Sequence, residues 1–105
     1  MSREVRVVPE AESNIEEAYR YICQDSPERA SRWRAGIEAA IQSLASYSLR
    51  YAVIHEESQA GREIREMLFG VYRIYYSVTD DAVTILTVRH GARLPLHPED
   101  LPLEP

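Results

Sequence analysis

The spacing of apolar positions changes period twice along the chain. Residues 4–8 alternate and are rich in β-branched side chains, which predicts a short strand. From Ala11 the period lengthens. Ala11, Ile15, Ala18, Tyr19, Ile22 and Cys23 fall on one stripe of a 3.6-residue repeat, so 10–25 reads as a helix with Pro9 at its start. Glu10, Glu12, Glu16 and Glu17 crowd its first half, the positive end of the helix dipole. Ser26 then stands where it can cap, and Pro27 where a second helix can begin. Ala30, Trp33, Ile37, Ala40, Ile41 and Leu44 carry that helix to about Tyr47. The short connection predicts an antiparallel helical hairpin. Its expected core is Ile15, Tyr19, Ile22, Trp33, Ile37, Ile41 and Leu44.

Residues 48–61 show no clear period and read as a crossing loop, with a short extended piece at 51–54. Three strand-like runs follow, at 62–69, 71–78 and 82–90. Gly70 and the segment Thr79, Asp80, Asp81 separate them tightly enough for hairpins. In the middle run Tyr72, Ile74, Tyr76 and Val78 share the side expected to meet the helices, while Arg73, Tyr75 and Ser77 share the other. The last run is apolar almost throughout, as in a central strand or one covered on both faces. The fold class expected is α+β: a short strand, a helical hairpin and an antiparallel sheet formed with three C-terminal strands. With 105 residues there is room for one domain, read as 1–93, followed by an acidic segment at 94–105 that holds four of the six prolines. Those prolines exclude a regular helix or a central strand there.

Charge narrows the chemistry. The net charge is −5, which argues against a generic nucleic-acid binder. Every one of the twelve basic residues is arginine, so no lysine can serve as a base or a mobile phosphate contact. Residues 10–57 hold nine acids and five arginines, whereas 61–93 hold five arginines and four acids. The sheet is therefore the least acidic part, and its polar face is expected to gather Arg65, Arg73 and Arg89. Cross-strand pairing with Glu63 and Glu66 is the plain alternative for those arginines.

A single cysteine, Cys23, excludes an internal disulfide framework and fits a reducing, cytoplasmic setting. No apolar run is long enough for a membrane span, and no signal peptide is expected. His55, His90 and His97 are too scattered for a zinc site, and glycine-rich phosphate loops and paired cysteines are absent. Neither a metal nor a cofactor is expected. One cluster remains: His90 with Arg73, Arg89 and Arg93, near Tyr72, Tyr75 and Tyr76. An imidazole could move a proton and guanidiniums could hold phosphate charge. A histidine at a strand end is also an ordinary structural hydrogen-bonding residue.

The order strand, helical hairpin, three strands resembles the RelE/ParE family of toxins of bacterial type II toxin–antitoxin modules, also called plasmid stabilisation proteins. The resemblance spans about residues 4–93 and is most specific in the pairing of "YRIYY" at 72–76 with "RHGAR" at 89–93. It implies a cognate antitoxin that wraps and neutralises the toxin. RelE-like members cut messenger RNA in the ribosome with a strongly basic set of residues; ParE-like members share the fold, lack that set and poison DNA gyrase. The missing lysines and the acidic balance place this chain with the ParE-like branch, a binding inhibitor of gyrase or another protein and not an enzyme. Its expected contacts with antitoxin or target are Arg65, Arg73, Tyr75, Arg89, His90 and Arg93. The alternative is a ribosome-dependent endoribonuclease in which Arg73 and Arg93 hold the scissile phosphate and His90 is the general acid or base.

Overall fold

The structure, a computed structural model, describes residues 2–57 and 62–91, and of residues 55–57 and 62 the backbone alone. The elements run β1 (Glu4–Val7), α1 (Pro9–Asp25), α2 (Pro27–Tyr47), β2 (Val53–Glu57), β3 (Arg62–Phe69), β4 (Tyr72–Val78) and β5 (Ala82–His90). The strands form one sheet in the order β1-β5-β4-β3-β2. The helices form where the apolar stripes predict them. Pro9 opens α1 with Glu10 and Glu12 in its first turn. Ser26 caps α2, its Oγ accepting from the Arg29 amide at 3.2 Å. The hairpin is cross-linked on its surface, where the Arg34 guanidinium donates to Glu16 at 2.8 Å and lies 5.0 Å above the Tyr19 ring.

Two features extend the expected architecture. The crossing segment supplies a fifth strand, β2, antiparallel to β3. The sheet is mixed, because β1 joins β5 in parallel, Glu4 opposite Ala82 and Val7 opposite Ile85. The helical hairpin between β1 and the later strands provides the long crossover that a parallel pair requires.

β5 therefore lies between two strands, and Ala82 to Val88 are all buried. The core joins Ile15, Ile37, Ile41 and Leu44 of the helices to Met67, Ile74, Tyr76, Val83, Ile85 and Val88 of the sheet. Trp33 is half-buried and packs against this cluster instead of lying within it. Tyr19 and Ile22 are half-buried as well.

A β-bulge adjusts the face of β5. Tyr76 pairs with Ile85 but Tyr75 pairs with Thr87, leaving Leu86 as the extra residue. Odd-numbered Val83 and Ile85 and even-numbered Val88 thereby share the core. Beyond Val7, β1 no longer covers the outer edge of β5. Asn14 of α1 takes over there, its Oδ1 accepting from the Val88 amide at 3.0 Å and from Thr87 Oγ1 at 2.9 Å.

Candidate binding surface

Strand parity sorts the expected contact residues. Arg73 of β4 pairs with Arg89 of β5 and with Leu68 of β3, so these three share the face away from the helices. Arg65 pairs with Tyr76, three positions along β3 from Leu68, and so points to the helix side. There it is a structural residue. Its guanidinium donates to the Tyr51 carbonyl at 2.5 Å and to Glu63 at 2.8 Å, and its side chain is only 12% exposed. Arg65 thus forms an ion pair, though along β3 with Glu63 and not across strands, and does not join Arg73 and Arg89.

Tyr75 faces outward with Arg73 but is buried, so its ring is a packing element and not an exposed contact. Arg73 and Arg89 are half-exposed, and neither makes an ion pair among the described residues. Two like charges directly opposite one another repel. Arg93 lies outside the described residues, as does the segment 94–105.

His90 ends β5 on the helix-facing side, opposite Tyr72. Its ring meets the Tyr72 ring edge-on at 5.5 Å, and Tyr72 in turn packs on Trp33 at 5.1 Å. Burial pushes the Tyr72 phenol above its ordinary pKa, with a further push from the nearby Tyr21. A phenol held protonated is poorly suited to accept a proton near neutral pH.

Gly91 turns the chain beyond β5 without adopting a left-handed conformation, which among the described residues only Gly70 does, at φ 59°. Gly91 is required for closeness. Its amide donates to the Val71 carbonyl at 2.6 Å, and a Cβ here would stand 2.9 Å from that oxygen.

Sequence reasoning missed the apolar part of this surface. Leu68 and Val71, on either side of the β3–β4 turn, are 65% and 60% exposed. The available signal was the run Leu68, Phe69, Gly70, Val71, which sets apolar residues around a hairpin tip that cannot all reach the core. With Gly70, Arg73, His90 and Gly91 they line a shallow hollow of about 330 Å³. Arg73 and His90 thus approach one end of the sheet from opposite faces and border the same depression. Among the described residues no three His, Cys, Asp or Glu side chains converge as metal ligands.

Residues 5–95 match the family model described as the ParE toxin of the type II toxin–antitoxin system, parDE. The chain belongs to the ParE toxin family. Three solved structures share its fold. The chromosomal ParDE system of P. aeruginosa superposes with a TM-score of 0.69 at 14% identity, over 85% of this chain and 96% of that one. The RelBE2 toxin–antitoxin complex of Mycobacterium tuberculosis gives 0.56 at 24% identity, over 86% and 99%. The archaeal RelE–RelB complex of Pyrococcus horikoshii gives 0.53 at 19% identity, over 90% and 100%. No curated protein sequence matches the chain. This ParE-family chain carries half-exposed Arg73 and Arg89 and exposed Leu68 and Val71 at one end of its sheet. No helix among the described residues is long and apolar enough to cross a membrane.

Proposed function

We propose that this ParE-family toxin acts by binding and inhibiting a protein target, DNA gyrase, and is neutralised by a cognate antitoxin. One observation carries the reading: the arginine pair Arg73 and Arg89, which makes no ion pair among the described residues, shares the sheet's end with exposed Leu68 and Val71. Exposed apolar side chains beside guanidiniums are the composition of a protein-recognition patch, in which arginine anchors contribute strongly. The absence of lysine and the net charge of −5 weigh against docking on ribosomal RNA. The raised Tyr72 phenol and the buried Tyr75 offer no tyrosine base. An antitoxin partner accords with the complexes of ParDE, RelBE2 and RelE–RelB that share the fold. The test is a supercoiling assay with purified gyrase. The toxin is expected to inhibit supercoiling and trap cleaved DNA, and added antitoxin to restore activity; uninhibited gyrase at saturating toxin overturns the target assignment.

A ribosome-dependent nuclease is the second reading, favoured by Arg73 and His90 bordering one hollow. It requires that Arg73→Ala and His90→Ala each abolish toxicity and messenger cleavage. Toxicity that survives both removes it.

A further inference from the structure

A second groove, of about 290 Å³, lies on the other side of His90, between α1 and the sheet. Three rings line it: Tyr21, Tyr72 and His90. Tyr72 and His90 are fixed relative to one another by their edge-on contact at 5.5 Å, and Trp33 supports Tyr72 from behind at 5.1 Å. Tyr21 is 73% exposed, an unusual position for a tyrosine on an otherwise stripe-patterned helix. Its hydroxyl is near enough to the Tyr72 phenol to disfavour the latter's ionisation.

The fourth wall is a carboxylate, Glu17. Two arginines of the hairpin are committed elsewhere. Arg20 pairs with Glu16, and Arg34 with Glu16 and Glu38. Among the described residues Glu17 makes no ion pair, so the groove combines aromatic faces with one unneutralised negative charge. Asn14 also borders it; its Oδ1 is already occupied by Thr87 and Val88, so the groove side of this amide is left to its Nδ2 hydrogens.

Ring faces attract cations, and a carboxylate beside them adds charge complementarity. We propose that this groove receives an arginine side chain of a bound protein segment, its guanidinium stacked among Tyr21, Tyr72 and His90 and paired with Glu17. Arginine fits better than lysine because a planar, weakly hydrated guanidinium can stack on a ring while donating sideways to a carboxylate. The site is separate from the Arg73–Arg89 surface and of opposite charge, so a partner engaging both must present acids to one and an arginine to the other.

The proposal is tested on the intact chain by NMR, following the Tyr21 and Tyr72 ring signals. The probes are N-acetyl-arginine methylamide, its lysine counterpart and its neutral citrulline counterpart. The arginine probe is expected to give saturable shifts and to bind about 2- to 30-fold more tightly than citrulline. Glu17→Gln and Tyr21→Ala should each reduce that preference. Both side chains are exposed, so thermal melting should show both variants folded. Equal binding of arginine and citrulline, no saturable shift, or a preference unchanged in both variants overturns the proposal. Equal or tighter binding of lysine overturns the assignment to arginine. The measurement uses neither antitoxin nor gyrase, so its failure leaves the toxin reading standing.

Discussion

Arg73 and Arg89 are direct cross-strand neighbours, two guanidiniums on one face of adjacent strands with no carboxylate paired to either among the described residues. Such a placement costs stability in the free chain, and Arg89→Gln, which keeps most of the apolar stem, should relieve it. Urea unfolding is expected to show a gain of about 0.2–1 kcal/mol at low salt that shrinks at high salt. The same variant should weaken antitoxin binding. A loss of stability would refute the repulsion between the two guanidiniums.

Asn14 closes the exposed edge of β5 through its bonds to Val88 and Thr87. Asn14→Ala leaves both donors unpaired beside the core, and a cost of about 1–3 kcal/mol is expected. Hydrogen exchange gives a local readout: the Val88 amide should lose protection more than its neighbours in the β4–β5 ladder. Unchanged protection at Val88 would refute the capping role.

The Tyr76 hydroxyl donates to the Ser48 carbonyl at 2.8 Å, and burial pushes its pKa up to about 12. An unfolded tyrosine titrates near 10, so the folded state holds this proton more tightly. The associated stability is fully present below about pH 10 and is lost as pH rises through about 12. Tyr76→Phe should cost about 1–2 kcal/mol at neutral pH by leaving the Ser48 carbonyl unpaired. It should also flatten the alkaline decline, which denaturation at a series of pH values would reveal.

Ile37 is fully buried whereas Trp33 lies half-exposed, its Nε1 enclosed without a partner among the described residues. Ile37→Ala is expected to cost about 3–4 kcal/mol, and Trp33→Ala less than the 3–5 kcal/mol or so of a fully enclosed indole. Trp33→Phe keeps the contact to Tyr72 and removes an unpaired donor, so it should be the mildest of the three. Equilibrium unfolding that ranks Trp33→Ala above Ile37→Ala would contradict the half-buried placement.

Gly91→Ala sets a methyl group against the Val71 carbonyl and should disturb the sheet's end. Gly70→Ala should cost about 1 kcal/mol for a different reason, its φ of 59°. Both glycines line the same hollow, but only Gly91→Ala crowds the Val71 carbonyl, so hydrogen exchange should show the residue-91 amide losing protection in that variant alone.

The helices and their caps were legible because their signals are local. Ser26, Pro27 and the stripe through Ile37, Ile41 and Leu44 need no knowledge of distant residues. The chain order and fold class followed from those pieces. Facing within β4 was legible from its alternation, and Ile74, Tyr76 and Val78 do reach the core; facing of one strand relative to another was not, since it depends on register. Arg65 and Arg73 look equivalent in sequence, yet pairing sends them to opposite faces. Nothing in the run Thr84, Ile85, Leu86, Thr87 marks the bulge that brings Val88 into the core. The parallel partner of β1 was equally hidden, because adjacency across the whole chain leaves no local trace.

That parallel pairing also orders events during synthesis. Glu4 must wait for Ala82, and β5 must enter between β1 and β4 before the sheet is continuous. Contacts so distant in sequence form slowly. The arginine pair and the groove around His90 both need β5, so the surfaces assigned to toxicity and recognition are the last to be assembled as the chain leaves the ribosome.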